Sequence, residues 1–368
     1  MIIGIPRERK TLEKRVAVTP HGAKELVAAG HELLIEKEAG LGSFYSDQDY
    51  LDVGCKIVKT LKEVWDAELV VKVKEPDQEE YQYLREDLIL FDYLHLSGLP
   101  GVAEHLLRAK TTGIAYESLQ LEGRLPLLEP MSEVAGRLSA QLGAHYLLTQ
   151  KGGRGVLLGG TEKVTAGTVT VIGAGIAGTA AIDVAYGMGA NLNVLDINQE
   201  RLDQLKAKYP DRMTTCLSSP EMIAEIAPAT DLMILAVLVP GAKAPMVLNR
   251  EHVESMPQGS VLIDIAIDQG GAAETIKPTS LKEPTYVDSG VIHYAVPNMP
   301  SQVARTATEA LTQATLPYIK LIADHGLDVA TAQSAELASA VNTYKGYLTN
   351  HEVAKSLAKE YQDFKIVS

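Results

Sequence analysis

The sequence predicts an α/β protein built on two doubly wound, mainly parallel sheets, the second carried inside the chain of the first. Three observations point there. Short apolar strands alternate with helical patterns over residues 1–130. A glycine-rich strand–turn–helix opens a second alternating region at 168–196. From Ser301 the pattern is helical, with no sheet of its own to cover. At 368 residues the chain is long enough for two domains with sizeable cores.

In the first region, strands are predicted at Ile2–Ile5, His31–Glu36, Leu69–Lys74, Leu88–Tyr93 and Gly113–Tyr116. Between them lie helical patterns at His21–Ala29, ending at Gly30, at Leu61–Ala67 and at Val102–Ala109. Such alternation with short connections favours a parallel sheet covered on both faces. The region carries no phosphate-loop motif. In these sheets, residues just past the carboxyl ends of strands line the ligand crevice, and Lys74, His95 and Glu117 fall there. Ser132–Gln150 predicts a long helix with Ser132 as N-cap, although the capping-box acid is absent. The connector KGGRGVLLGG, Lys151–Gly160, reads as a flexible linker rather than a second phosphate loop.

The second region opens with TVTVIGAGIAGTAAIDVAYGMGANLNVLD. Val169–Ile172 is a β-branched run suited to a buried parallel strand. Gly173, Gly175 and Gly178 follow with GxGxxG spacing, and Ile176–Gly187 is small and apolar, as a helix pressed on a sheet requires. A second strand, Asn191–Leu195, ends at Asp196. GxGxxG by itself is weak, because glycines recur in tight strand–helix turns. Here strand, helix and terminal acid supply the context the motif needs. Gly173 permits the turn, Gly175 lets a pyrophosphate reach the backbone, and Gly178 allows close helix–strand packing. The helix N-terminus offers N–H groups and a partial positive charge. Asp196 can accept from ribose hydroxyls, which favours NAD over its 2′-phosphorylated form.

Further strands are predicted at Arg212–Cys216, Asp231–Val237, Ser260–Ile265 and Thr285–Val287, with a short helix at Glu221–Ile226. Ser301–Ala323 has helical spacing broken by Pro317, and Ser334–Tyr361 reads as a final helix or pair. Lacking a sheet, this tail is expected to return to the first domain. The expected architecture is two doubly wound Rossmann-like domains. The NAD-binding domain, residues 131–299 with its leading helix, is inserted into a discontinuous substrate domain, residues 1–130 plus 300–368, with a crevice between.

A net charge of −13 argues against nucleic acid or an anionic membrane as partner. Cys55 and Cys216 form no CxxC or Cys/His cluster and read as reduced thiols. The N-terminal MIIGIPRERK places its apolar run before its charges, the wrong order for a signal peptide. The longest apolar run, Leu232–Pro240, is too short to span a bilayer. A cytoplasmic protein is expected.

A bound NAD requires a substrate carbon placed to exchange hydride, with charge, acid and base nearby. Arg15 follows the first strand in EKRVAVTP; its fork suits a carboxylate, or it is a solvated surface charge. Lys74, in VVKVKEP, ends so apolar a strand that it must snorkel or meet an anion. His95, in FDYLHLS, is either an acid/base or a core histidine satisfied by backbone. Asp268, in VLIDIAIDQGG, precedes Gly270–Gly271, where backbone can approach a ligand, whereas Asp264, inside the strand, reads as structural.

Taken together, GIPRERKTLEKRVAVTP, VVKVKEP, LHL, AYE, PLLEPMSEVAGRLSAQLGA, GGRGVLLGG, VIGAGIAG, VLDIN, AVLVPGAKAP, VLIDIAIDQGG and PNMP resemble the alanine dehydrogenase family, in order, from Met1 to beyond Pro300. The α subunit of proton-translocating nicotinamide nucleotide transhydrogenase is a relative with the same plan, carrying Glu where this chain has Asp268. The resemblance implies reversible NAD-dependent oxidation of L-alanine to pyruvate and ammonium. It implies Arg15 and Lys74 as the substrate-binding pair and His95 and Asp268 as the catalytic pair. It implies NAD contacts at Ser132, Ile176, Ala177, Asp196, Arg201, Ser218, Val237, Leu238, Ile265, Ala266, Ile267, Asp268, Val296, Pro297, Asn298 and Met299, beside the three glycines. Glu117 and His325 resemble a metal pair of some members, but their spacing shows no metal-ligand pattern. Lys277 stands where some members have Arg. A homohexamer is implied as well. Two other readings are an NAD(H)-binding transhydrogenase subunit and a non-catalytic NAD sensor; a sensor predicts loss of the polar set, which is intact here.

Overall fold

Runs of β-branched and leucine side chains are buried on both faces of most strands, which is why the sheets are parallel and wound with helices. The computed structural model describes residues 1–238 and 243–364; residues 239–242, within AVLVPGAKAP, lie outside it. The chain divides into two compact units, Met1–Met131 with Ser301–Ser368, and Ser132–Pro300.

The first unit begins with β1 (Ile2–Ile5), α1 (Pro20–Ala28), β2 (Glu32–Glu36), α2 (Asp47–Leu51), β3 (Lys56–Val58), α3 (Leu61–Trp65), β4 (Leu69–Lys74), β5 (Ile89–Tyr93), α4 (Pro100–Ala109) and β6 (Thr112–Ala115). These six strands are parallel, in the order β3-β2-β1-β4-β5-β6. The order reverses between β1 and β4, the switch point where such sheets bind ligands. Thr19 caps α1 by accepting the Gly22 N–H, and Thr60 forms a capping box with Glu63 on α3. Trp65, Leu88, Leu90 and Leu106 pack in the core on one face of this sheet.

Helix α5 spans Glu129–Tyr146. Ser132 therefore lies inside its first turn and is not the N-cap; the helix starts three residues earlier than its polar signal. The connector 151–160 is tied to the rest of the unit at several points. Arg154 pairs with Asp231 at 2.9 Å and donates its N–H to Gly259 O at 3.0 Å, and Gly155 donates to Leu147 O at 2.8 Å. Its glycines serve close packing.

The second unit continues with β7 (Thr168–Ile172), α6 (Ile176–Gly187), β8 (Asn191–Asp196), α7 (Gln199–Lys208), β9 (Met213–Leu217), α8 (Pro220–Ile226), β10 (Leu232–Leu235), α9 (Arg250–Ser255), β11 (Val261–Asp264), β12 (Thr285–Asp288) and β13 (Val291–Tyr294). The parallel order β9-β8-β7-β10-β11-β13 is the dinucleotide-fold order, with β12 antiparallel at the edge. The sequence pattern missed β13, which occupies the parallel position; Ser289 and Gly290, both at positive φ, turn β12 back onto it.

The chain then enters α10 (Ala304–Gln333), α11 (Ala335–Ser339), the hairpin β14 (Val341–Tyr344) and β15 (Tyr347–Leu348), and α12 (His351–Ser356). Two expectations fail here. Pro317 does not break α10; the non-helical residue is Gly326, at φ 74° and ψ 166°. That region of backbone space is nearly reserved for glycine. The segment 334–361 is not all helix either: β14 joins the first sheet antiparallel to β6, turned by Lys345 and Gly346 at positive φ. Buried Thr308 and Thr312 of α10 accept the N–H groups of Val16 and Thr19, both at 3.1 Å, and so hold the loop that carries Arg15.

Candidate functional site

In the second unit the chemistry begins where β7 ends. Gly173 turns the chain at φ 93°, and a Cβ there would lie 2.6 Å from Ala236 O. A Cβ on Gly178 would overlap the Gly173 carbonyl oxygen. Both positions are glycine because the fold has no room for more. Gly175 differs. It caps α6 at an ordinary φ of −69°, and a Cβ there would meet only Arg201 Nη1, at 4.0 Å. It leaves an open cradle at a helix N-terminus, where unpaired N–H groups favour a phosphate. Beside it lies a cavity of about 440 Å³, lined by Ala174, Gly175, Ile176 and Arg201 and reaching Arg137 and Lys208. The cradle fits a dinucleotide pyrophosphate.

Asp196 ends β8 beside this turn. Its Oδ2 accepts the Ala174 N–H at 2.6 Å, its Oδ1 accepts the Asn198 N–H at 2.8 Å, and Arg201 Nη1 stands 3.9 Å away. Its carbonyl accepts the Ser218 N–H at 3.0 Å, which brings the β9 end alongside. The carboxylate is thus locked in place by backbone.

After β11, Asp264 organises the next loop. Its buried carboxyl accepts from Ala266 at 2.8 Å and Ala272 at 2.6 Å. Burial pushes its pKa up to about 6, against the opposing pull of the backbone N–H groups of Ala272, Ala266 and Ala273. The turn Ile265–Gln269 that follows leaves Asp268 exposed. Asn298, at φ 57°, donates its N–H to Asp268 Oδ2 at 3.2 Å. The 265–268 and 296–299 segments therefore meet. Ala266, Ile267, Val296 and Met299 are buried, while Pro297 and Leu238 are exposed. Val237 is half-buried. Lys277 lies over the Tyr286 ring, 4.5 Å from its centre.

In the first unit, Arg15, Lys74 and His95 follow β1, β4 and β5, and each is held by a carboxylate. Arg15 is buried, not a solvated surface charge. Its Nε and Nη2 donate to Glu13 at 2.8 and 2.7 Å, and its Nη1 lies 3.1 Å from Met131 Sδ. Burial opposes its charge and Glu13 more than offsets that, so its pKa is raised. Glu8 accepts the N–H groups of Val73 and Lys74, at 2.6 and 3.3 Å, at the end of β4. Lys74 is half-buried at that end.

Glu117 accepts the His95 N–H at 2.6 Å, and its carboxylate stands 4.0 Å from Nδ1. His95 is left-handed, with φ 47° and ψ 36°. That conformation costs a non-glycine residue about 1–2 kcal/mol, comparable to the roughly 1.5–3 kcal/mol of a hydrogen bond to a charged group. The Tyr93 ring stacks on His95 at 5.8 Å and 6°, and Tyr93 is itself anchored through its hydroxyl to Leu127 O at 2.5 Å.

Sequence reasoning passed over the layer behind these residues. Lys72, read only as part of VVKVKEP, is fully buried and pairs with Glu80 at 3.0 Å and Glu8 at 3.5 Å. Burial disfavours its charge, and the two carboxylates more than restore it. Neighbouring Asp92 is buried with neither carboxyl oxygen hydrogen-bonded among the described residues, and burial raises its pKa far above the carboxylate range despite Lys72. Glu8 and Glu13 looked like surface charge in PRERKTLEKR, because nothing local marks an acid that folds inward. Of the two residues that resemble a metal pair, Glu117 accepts the His95 N–H and His325 is exposed on α10. Among the described residues no three His, Cys, Asp or Glu are grouped to hold a metal ion.

Residues 4–135 match the family model "Alanine dehydrogenase/PNT, N-terminal domain", and residues 139–351 match "Alanine dehydrogenase/PNT, C-terminal domain". The chain is 50% identical over 363 residues to the alanine dehydrogenase of Staphylococcus haemolyticus (strain JCSC1435), covering 98% of this chain and 97% of that one. It is 49% identical over 364 residues to alanine dehydrogenase 2 of Staphylococcus aureus (strain USA300), covering 98% of each. A solved L-alanine dehydrogenase superposes with a TM-score of 0.95 at 45% identity, over 97% of this chain and 99% of that one. A transhydrogenase from Sinorhizobium meliloti shares the fold, with a TM-score of 0.82 at 22% identity over 95% of this chain and 99% of that one.

Proposed function

The chain belongs to the alanine dehydrogenase/PNT family, and we propose that it is an NAD-dependent L-alanine dehydrogenase, interconverting L-alanine, NAD and water with pyruvate, ammonium, NADH and a proton. Half-identity to alanine dehydrogenases over nearly the whole chain carries this reading. The transhydrogenase-subunit alternative is less supported: the family models cover both, but the solved transhydrogenase is only 22% identical to this chain.

NAD would sit on Gly173, Gly175 and Gly178, with Asp196 toward a ribose and Arg201 and Ser218 beside it. Further contacts would come from Ser132, Ile176, Ala177, Val237, Leu238, Ile265–Asp268 and Val296–Met299. When bound, NAD supplies the two-electron acceptor for the Cα–H of alanine. The remaining tasks fall to side chains. Lys74 and Arg15 hold the substrate carboxylate. Oxidation at Cα leaves an iminium, to which water adds. His95 takes a proton from that water and returns one as the C–N bond breaks, releasing ammonia. Asp268, anionic, stabilises the positive charge on nitrogen. Alanine must present a neutral amine, so deamination is favoured at alkaline pH.

The protein would act as a homohexamer in the cytoplasm. Among the described residues no helix is long and apolar enough to cross a membrane. The test is NADH formation followed at 340 nm with L-alanine at alkaline pH. Absence of alanine-dependent NADH refutes the reading, and a transhydrogenase subunit would give none. Glycine, serine and 2-aminobutyrate in the same assay define the side-chain range.

A further inference from the structure

His95 carries two features that an acid/base role does not require. Its backbone is left-handed although it is not glycine. Its N–H is spent on a side chain instead of a neighbouring carbonyl, at 2.6 Å from Glu117 Oε1. Glu117 itself sits in the turn after β6, the strand next to β5, so the bond ties the ends of two adjacent strands together. The same oxygen lies 4.0 Å from His95 Nδ1, and the buried Oε2 of Glu117 has no hydrogen-bond partner among the described residues. At 4.0 Å the ring contact is too long for a hydrogen bond, so the hold of Glu117 on His95 is the bond to its backbone N–H. The Tyr93 ring lies parallel to the imidazole, with centres 5.8 Å apart.

We propose that Glu117 is the positioning residue for His95. It holds the His95 backbone in its left-handed turn and so fixes where the imidazole stands relative to the substrate. This assigns to His95 a carboxylate that family resemblance would give to a metal. The proposal rests on His95 being the acid/base of the proposed reaction, and the test separates the two.

The experiment measures steady-state alanine oxidation and pyruvate reduction on the full-length enzyme for the parent, Glu117→Ala, Glu117→Gln, His95→Ala and the double variant Glu117→Ala/His95→Ala. Glu117→Ala is expected to lower kcat by about 10- to 100-fold while KM for pyruvate stays within about threefold, because the group acts on a proton donor and not on substrate binding. Glu117→Gln keeps an oxygen for the His95 N–H but loses the charge, and falls between Glu117→Ala and the parent. The double variant is expected to match His95→Ala, since Glu117 works only through that residue. If Glu117→Ala costs the same factor with His95 already removed, or leaves kcat unchanged, the proposal fails. It also fails if chelation abolishes parent activity, a divalent cation restores it, and Glu117→Ala no longer responds. If His95→Ala itself retains parent activity, the assignment of His95 fails instead, independently of Glu117.

Discussion

Replacing each glycine of the turn by alanine separates the glycines the fold needs from the one the cofactor needs. A Cβ on Gly178 would overlap the Gly173 carbonyl oxygen, a backbone atom that cannot rotate away. Helix α6 would have to lift from β7, and overpacking of this kind costs about 1–3 kcal/mol, or a fall in Tm of about 2–12 °C for a unit of this size. Gly173→Ala is worse placed, since φ 93° adds backbone strain to a 2.6 Å approach to Ala236 O. Gly175→Ala is different in kind. Its Cβ meets only Arg201 Nη1 at 4.0 Å and its φ of −69° suits alanine. Alanine is a poorer N-cap than glycine by up to about 1 kcal/mol, and stiffening the unfolded chain returns about 0.4–1 kcal/mol. Stability should therefore stay within about 2 °C. The new methyl would stand where a pyrophosphate must meet the helix N–H groups. Losing one or two hydrogen bonds to a charged group, about 1.5–3 kcal/mol each, weakens binding by about 100-fold. Differential scanning fluorimetry and NADH fluorescence titration read the two effects separately. A Gly175→Ala enzyme that binds NADH within about threefold of the parent, or a Gly178→Ala enzyme with the parent's Tm, would refute the reasoning.

Four further outcomes follow from the same structure. Burial lifts the Asp264 pKa to about 6 from 3.8, so the folded protein holds this proton more tightly than the unfolded chain. Its stabilising contribution is complete below about pH 4 and is lost as pH rises through about 6, by about 3 kcal/mol; the stability difference between parent and Asp264→Asn should change by that amount across the window, and a constant difference would contradict it. Lys72→Met leaves Glu8 and Glu80 buried without their cation and should cost about 3–5 kcal/mol in urea unfolding; an unchanged midpoint would show the triad to be dispensable. Arg15→Ala should raise KM for pyruvate more than tenfold, since a charged hydrogen bond is worth about 1.5–3 kcal/mol, and an unchanged KM would remove Arg15 from carboxylate binding. Gly326→Ala should destabilise by about 1–3 kcal/mol because its φ of 74° and ψ of 166° strain any side chain; a gain in Tm would place the helix break elsewhere.

The fold class was legible because its signals are local and periodic. Buried β-branched runs, strand–helix alternation and the spacing of Gly173, Gly175 and Gly178 depend only on neighbours in the chain, and each reappears in the two sheets. Strands β13 and β14 escaped because each belongs to a hairpin whose two-residue turn, Ser289–Gly290 or Lys345–Gly346, was not recognised. Pro317 misled for a related reason. Its local cost is real, about 3 kcal/mol, but α10 continues through it with Thr315, Ile319 and Ile322 buried, and yields only at Gly326.

Lys74 and His95 stand out in the sequence because polar groups at the ends of apolar strands are conspicuous, whereas Arg15 and Asp268, in loops beyond β1 and β11, stand out by residue type and local motif. Their surroundings do not. Glu13 and Glu8 are loop acids indistinguishable in the sequence from solvated ones, and Glu117, although its strand places it at the crevice, gives no sign of its partner. Only folding turned Glu13 onto Arg15, Glu8 onto the end of β4 and Glu117 onto the His95 backbone. Which residue types can do the chemistry is a property of composition and local pattern. Which carboxylate stands behind each of them depends on strands far apart in the chain becoming neighbours, and that was decided by the tertiary structure alone.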